Sequence, residues 1–447
     1  MRLAAGGPVL RNLALLEEWQ SLPAAELQQL QDERLADLLL HAHRSTDYYR
    51  RILTARGVVS SDGGVHLNRL GALPLLDKSL LRTEFENIKS ADLNRRRWYP
   101  NASGGSTGET ARFIQDRDYD AWVGAVKLQF DGWTGSQICD RKAVLWGSSH
   151  DVDGSRNPLR TRLGRWLSNE FWLRTYQLTE ADMIAHAHAI NAFRPVQLLA
   201  YSDNAYELAR VVEQTGMSMY PPRSIMTSAG TLYPAMRETI ERALGAPVFN
   251  RYGSREVGDI ACECDQHTGL HVNVLCHHVE ILRPDGSPAE LGEEGEIVIT
   301  NLTNYAMPLI RYRIGDIGEW STQLCACGRT WPLLARVSGR TCDMFVNRDG
   351  AQVGAEYFFF EFEKYEWLRR FRLVQEAVDR VEVFLQLFSN SDEVDSSQRD
   401  EIRSIVRKAV GEDCVVNIQI VPEIESMPSG KHLCVMSKVG SHQDARK

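Results

Sequence analysis

No apolar run in the 447-residue chain approaches the roughly 20 residues that a membrane-spanning helix needs. Basic charge is not in excess either. With 51 Lys and Arg against 59 Asp and Glu, the net charge is −8, so no general nucleic-acid or anionic-membrane surface is expected. A disulfide framework is also missing. Nine cysteines, an odd number in a long chain, fit reduced thiols or a metal site better. The first twenty residues carry Arg2 and Arg11 but no apolar core with a small-residue cleavage site. Secretion is therefore not expected, and a cytoplasmic location is. There is no internal repeat and no low-complexity segment longer than a loop. What remains is ordinary for a globular protein: 25% charged and 43% hydrophobic residues, in a chain long enough for about two or three domains or subdomains.

The densest chemistry lies in Ser103-Gly104-Gly105-Ser106-Thr107-Gly108-Glu109-Thr110, where three glycines and four hydroxyl residues fall within eight positions. Glycine admits φ > 0 and lets a ligand approach the main chain. Successive backbone N–H groups can then cradle an anion, with Ser and Thr as added donors. The Gly-Lys-Ser/Thr ending of a P-loop is absent, so a Walker-type NTPase is not the natural reading. A plain surface turn is the alternative.

Leu27, Leu30, Leu35, Leu38, Leu39 and Ala42 recur at helical spacing. Phe113 and Ile114 open an expected strand, and residues 141–147 read as a short buried one ending at glycine. Pro234 to Leu244 is expected to be a helix with Gly245 just past its end. Pro247 to Asn250 reads as a strand, with Arg251-Tyr252-Gly253-Ser254 as the turn after it. Alternation of this kind implies an α/β core, with ligands at strand ends. From Val279 the pattern becomes β-strands with tight turns, including Leu309–Arg313 ended by Gly315-Asp316. Beyond Gly339-Arg340, charge-rich helices such as Ser397 to Val410 alternate with the strands Val381–Phe388 and Val415–Val421, as in a small α+β domain.

Four features stand in a telling order: the 103–110 loop, Tyr252-Gly253-Ser254-Arg255-Glu256, Tyr312-Arg313-Ile314-Gly315-Asp316, and Pro428-Ser429-Gly430-Lys431. The set resembles the adenylate-forming superfamily of acyl-CoA ligases, luciferases and peptide-synthetase adenylation domains. From about His41 onward the chain is most similar to its phenylacetate–CoA ligase branch. His41-Ala42 with Tyr48-Tyr49-Arg50, Asn304-Tyr305-Ala306-Met307-Pro308-Leu309-Ile310-Arg311-Tyr312, and Cys325-Ala326-Cys327-Gly328-Arg329 support that likeness. The resemblance implies an α/β fold. A large N-terminal domain, 1–339, would hold β-sheets flanked by helices and a small β-barrel-like part. A small mobile α+β lid, 340–447, would follow.

The resemblance also implies roles. Ser103, Gly104, Gly105, Ser106, Thr107 and Gly108 would hold the ATP phosphates. Glu256 would ligate Mg²⁺, and Asn250, Arg251, Tyr252, Gly253 and Ser254 would line the nucleotide site around it. Asp316 would bind the ribose hydroxyls with Arg340 as its partner, and Ser228, Ala229 and Gly230 would form the adenine loop. Lys431 would reach the α-phosphate as the catalytic lysine. Two positions depart from the pattern: Glu109 replaces a common lysine, and Cys342 replaces the usual Asp or Lys hinge. The acid pocket is expected from Trp133, Trp146, His150, Tyr201 and Ser202, all of which could equally be packing.

A separate group suggests zinc. Cys264, His271, Cys325 and Cys327 offer three thiolates and an imidazole, with Cys262 as a substitute ligand; reduced thiols without metal are the alternative. Cys139, Cys276, Cys414 and Cys434 read as small core residues. The expected activity is ATP- and Mg²⁺-dependent activation of a carboxylic acid, an aromatic one by resemblance, as an acyl-adenylate, then transfer to coenzyme A. Coupling to an amine, hydroxyl or other nitrogen nucleophile is a second reading, and a non-catalytic nucleotide-binding relative a third. Partners are the small-molecule acid and acyl acceptor, without nucleic acid or membrane. A homodimer stands among the expected assemblies.

Overall fold

The computed structural model describes residues 7–103, 111–146, 158–174, 179–340, 344–388, 394–427 and 432–439, of which 158–160 and 340 by backbone only. The chain divides into two compact units, Met1–Ile138 with Phe249–Val337, and Cys139–Val248 with Ser338–Lys447. Among the described residues no helix is long and apolar enough to cross a membrane.

In the first unit, the periodic leucines form the helix Ala24–Ser45, which buries Leu27, Leu35, Leu38, Leu39 and Ala42. Each such leucine contributes about 1.5–3 kcal/mol of apolar burial. Thr46 caps the next helix, Asp47–Ala55, by accepting the Tyr49 N–H at 3.2 Å. The scattered signature residues meet here. His41 Nε2 lies 2.9 Å from the Tyr305 carbonyl, and the Tyr49 hydroxyl accepts the Ile310 N–H at 3.2 Å. Strands β1 (Trp98–Ala102) and β2 (Arg112–Asp116) pair antiparallel, Ala102 opposite Arg112. The 103–110 loop is thus the connection of a hairpin. The helix Arg117–Trp133 follows, capped by Asp116.

The strands of this unit are β7 (Val248–Ser254), β8 (Gly258–Glu263), β9 (Leu270–Val272), β10 (His277–Leu282), β11 (Glu294–Asn301), β12 (Tyr312–Trp320) and β13 (Leu333–Arg340), in spatial order β10-β11-β12-β13-β9-β8-β7. Two expected boundaries are corrected. Tyr252-Gly253-Ser254 is the end of β7, not a turn. There β7 bulges against β8, and a Cβ at Gly253 would lie 2.6 Å from the Gly258 carbonyl oxygen, so glycine admits the close approach. Leu309 to Arg311 is not strand. Arg311 takes φ +51°, β12 starts at Tyr312, and it runs through Gly315 (φ +89°) to Trp320. A glycine at positive φ lets the strand kink and continue rather than stop.

In the second unit, β3 (Lys142–Trp146), β4 (Glu170–Arg174), β5 (Gln197–Tyr201) and β6 (Ser224–Ser228) run parallel in the order β6-β5-β3-β4. The helices Glu180–Phe193 and Ser202–Thr215 lead from β4 to β5 and from β5 to β6, Pro234–Leu244 follows β6, and Gly245 ends it at φ +69° as expected. The C-terminal part holds the hairpin β14 (Met344–Val346) and β15 (Gln352–Gly354). It also holds a four-stranded sheet of β16 (Leu368–Ala377), β17 (Arg380–Leu387), β18 (Val415–Ile420) and β19 (Val435–Ser437) in the order β18-β17-β16-β19. The helices Ala355–Phe362 and Ser396–Val410 accompany that sheet.

Candidate functional site

In the first unit the two central motifs exchange partners. Tyr252 of the first donates its hydroxyl to Asp316 Oδ2 of the second at 2.8 Å. Tyr312 of the second lies with its hydroxyl 3.4 Å from Glu256 Oε1 of the first. Each motif supplies a tyrosine and, four residues later, a carboxylate. Glu256 and Asp316 are both buried. In a flat sheet β7 and β12 would stand four strand spacings apart, roughly 19 Å, farther than a tyrosine and an aspartate reach. The sheet is therefore not flat between them, and the two motifs meet through their tyrosines.

Residues around Glu256 fix it further. The buried Gln115 side chain donates to the carbonyls of Arg255 (2.9 Å) and Glu256 (3.4 Å). Gln115 was not anticipated; the available signal was an amide directly after the apolar pair Phe113-Ile114 in a short strand. The Asn250 N–H donates to buried Glu263 at 2.8 Å, and Arg251 pairs with Asp259 at 3.5 Å. Ser254 Oγ is buried without a hydrogen-bond partner among the described residues, a group that a ligand or water would satisfy. Ser103 closes the hairpin: its N–H donates to the Ala111 carbonyl at 2.9 Å, and its Oγ accepts the Ala111 N–H at 2.8 Å. Gly104, Gly105, Ser106, Thr107, Gly108 and Glu109 lie outside the described residues, as do His150, Cys342, Lys431 and the Arg340 side chain.

The donor atoms of Cys264, His271, Cys325 and Cys327 all lie within 4.8 Å of one another. Cys264 Sγ is 3.5 Å from Cys325 Sγ, and Cys327 Sγ is 3.3 Å from His271 Nε2. A tetrahedral ion with 2.3 Å metal–sulfur bonds would set neighbouring sulfurs about 3.8 Å apart, so the spacing suits such an ion. His271 is buried, and its Nδ1–H donates to the Trp331 carbonyl at 3.2 Å, which turns the Nε2 lone pair toward the thiols. The Arg329 N–H points at Cys327 Sγ, 3.4 Å away. Burial lowers the His271 pKa to about 4 and pushes the Cys264 thiol up to about 12. Burial raises the Cys325 pKa too, yet hydrogen bonds from Thr268 and the Cys327 backbone bring that pKa below its ordinary value overall. Cys262 is buried with its thiol raised by burial, beside Arg251, and is not among the grouped donors. Trp133 packs edge-on against His271 and Trp331, 5.7 and 5.5 Å between centroids. Cys276 and Cys414 are buried and Cys434 partly so, but Cys139 is exposed in a turn at φ +69°, contrary to a core role.

In the second unit Trp146 and Tyr201 meet edge to face, 4.4 Å between ring centroids, at the C-terminal ends of β3 and β5. Ser202 Oγ donates to the Gly230 carbonyl at 3.0 Å. Past β6, the Gly230 N–H returns to the Ser228 carbonyl at 2.9 Å around Ala229 at φ +70°. That three-residue turn with positive φ at a non-glycine is strained, and such strain collects at ligand sites. Trp146, Tyr201, Ser202 and the Ser228-Ala229-Gly230 turn thus gather at one end of a parallel sheet, where open α/β sheets bind ligands.

Residues 345–438 match the family described as CapK C-terminal domain. The chain is 29% identical over 364 residues to a phenylacetate-coenzyme A ligase of Escherichia coli (strain K12), covering 79% of this chain and 80% of that one. It is 23% identical over 422 residues to Protein CapK of Staphylococcus aureus, covering 91% and 88% of the two chains. Among solved structures, 2-hydroxyisobutyryl-CoA ligase, in the postadenylation state with 2-HIB-AMP, superposes with a TM-score of 0.76 at 18% identity, covering 94% of this chain and 92% of that one.

Proposed function

We propose, for a chain that belongs to the phenylacetate–CoA ligase-like branch of the adenylate-forming superfamily, that it activates a carboxylic acid with ATP and passes the acyl group to coenzyme A. The observation that carries this reading is the reciprocal pairing of Tyr252 with Asp316 and Tyr312 with Glu256. It sets two buried carboxylates, of the two motifs expected to hold ribose and metal, in fixed positions.

A carboxylate resists nucleophilic attack, so its oxygen must first become a leaving group. The substrate carboxylate attacks the α-phosphorus of ATP, pyrophosphate departs, and an acyl-adenylate forms. The thiol of coenzyme A then displaces AMP. The hairpin loop from Ser103 to Gly108 holds the β- and γ-phosphates with backbone N–H groups. Asp316, oriented by Tyr252, accepts hydrogen bonds from the ribose hydroxyls. Asn250, Arg251, Gly253 and Ser254 line the nucleotide around them, with Ser254 Oγ available to it. The Ser228-Ala229-Gly230 turn borders adenine. Glu256, held by Tyr312 and Gln115, is placed to ligate Mg²⁺, a hard cation that neutralises phosphate charge when bound. Lys431, on the 340–447 lid, offsets charge in the transition state. Trp146, His150, Tyr201 and Ser202 shape the pocket of a compact acid.

The Cys264, His271, Cys325 and Cys327 set fits structural Zn²⁺. Four donors close the coordination sphere, and acyl adenylation needs no open position there.

A screen of carboxylic acids with ATP and Mg²⁺ tests the reading. The expected products are pyrophosphate and AMP, with a thioester when coenzyme A is added. ADP and phosphate as products would overturn adenylation. An amide or ester formed without coenzyme A would overturn the thiol acceptor only.

A further inference from the structure

One face of the helix Ser202–Thr215 is polar where it meets the C-terminal segments. Asp203, Glu207, Arg210 and Gln214 fall at i, i+4, i+7 and i+11, the spacing of a single helix face. All four hold residues of 365–371 or 432. Gln214 Nε2 donates to the Glu366 carbonyl at 3.1 Å. Arg210 Nη2 donates to the carbonyls of Tyr365, Glu366 and Leu368, each at 3.2 Å. Glu207 accepts from Arg369 Nε at 2.8 Å on one oxygen and from Arg370 Nε at 3.1 Å on the other. Asp203 Oδ2 accepts the His432 N–H at 3.3 Å.

The ion pair is buried: the side chains of Glu207, Arg369 and Arg370 are 5%, 7% and 9% exposed. Desolvation consumes much of the Coulomb gain of such a group, so it is a poor adhesive. Its value is directional. Two guanidiniums on the two oxygens of one carboxylate fix an orientation that apolar contacts, such as Tyr206 and Tyr233 against Phe359, leave loose. Polar groups can also be rehydrated when the contact opens. His432 directly follows Lys431 in the chain, so pinning its N–H anchors the chain at the residue next to Lys431.

Resting on the adenylation reading of Lys431, we propose that Asp203 and Glu207 are positioning residues: they dock the C-terminal segments so that Lys431 is presented for adenylation, and they let go for acyl transfer. Asp203→Ala and Glu207→Gln in the full-length protein test this in two ways. The first compares half-reactions. Acid-dependent ATP–pyrophosphate exchange should lose at least about tenfold in kcat, with KM for ATP within about twofold, while capture of a chemically supplied acyl-adenylate by coenzyme A stays within about twofold. The second is amide hydrogen exchange. Both variants should accelerate exchange at His432, while the amides of β16 and β17 stay protected.

Equal losses in both half-reactions would overturn the proposal, as would unchanged pyrophosphate exchange. Unchanged protection at His432 in both variants would overturn the dock itself. If Glu207→Gln fails to fold because it strands two buried guanidiniums, Asp203→Ala carries the same two measurements. Should no acid give pyrophosphate with the unaltered protein, the adenylation reading fails, and amide exchange still decides whether the stripe docks this segment.

Discussion

His432 has its ring nitrogens turned inward. Its Nε2–H donates to the Phe371 carbonyl at 3.0 Å, and Nδ1 is buried without a partner among the described residues. Burial above all, then the charges of Arg370 and Arg372, lower its pKa to about 3. An unfolded chain takes up that proton near the ordinary value of 6.5. The folded state therefore binds fewer protons than the unfolded state between those two values. Stability from this site is fully present above about pH 6.5 and falls as the pH drops toward 3, no more steeply than about 1.4 kcal/mol per pH unit. His41, His277 and His278, also lowered by burial, act in the same direction. The informative quantity is thus the difference between proteins. His432→Gln should keep an N–H toward Phe371 and lose part of the pH dependence. Urea midpoints at pH 7.5 and pH 5 measure it. An identical drop in both proteins would mean that His432 titrates alike in the folded and unfolded states.

Strands β8 and β9 pair with each other inside the sheet, β9 also pairs with β13, and the loop before β13 carries Cys325 and Cys327. The expected fastener of this element is the Cys264, His271, Cys325 and Cys327 group. If that group binds zinc, metal binding contributes folding free energy there and little to acid choice. Protein purified without added metal should contain about one zinc per chain. Cys325→Ser should lower the melting temperature by several degrees, on the scale of a few kcal/mol, and leave the ranking of acids unchanged. Zinc near zero with normal stability would remove the metal from this element. This group was legible because thiols and an imidazole are chemically rare and their spacing is short. The elements around it were legible less evenly. The leucine periodicity of Ala24–Ser45 and the Pro234 to Gly245 helix were readable because one residue pattern decides each. The ends of β7 and β12 were not. Gly253 and Gly315 look like turn residues in sequence, yet one admits a neighbouring strand and the other kinks its own. Arg311 was no more readable. Its positive φ is held by a two-point bond to Glu280 and by donation to the carbonyls of Gly71 and Leu73, contacts some 30 and 240 residues away in sequence. The polar face Asp203-Glu207-Arg210-Gln214 was not read from the sequence, because its partners at 365–371 and 432 lie some 150 to 230 residues away.

At the scale of the whole chain, each unit is built from two separated segments, and Ser338–Lys447 shares a unit with Cys139–Val248. Lys431 belongs to the later segment, about 90 residues past Gly339-Arg340. A lysine that serves only the first half-reaction must be delivered and then withdrawn, which requires motion of the part that carries it; such motions turn on a few boundary residues. Lys431→Ala should therefore depress acid-dependent pyrophosphate release by about 10²-fold or more, the scale of losing one transition-state stabiliser. It should hardly alter capture of a supplied acyl-adenylate, because a lysine withdrawn after adenylation is away from the phosphate when coenzyme A displaces AMP. Cys342→Pro should do the reverse. A pyrrolidine ring fixes φ at the boundary and hinders the turn toward acyl transfer, while a chain already placed for adenylation loses little. Single-turnover measurements of the two steps separate these outcomes. Equal damage to both steps by Lys431→Ala would mean that one arrangement serves the whole reaction. No damage to either would make Lys431 an ordinary surface lysine and leave Glu256 and the phosphate loop to neutralise the charge alone.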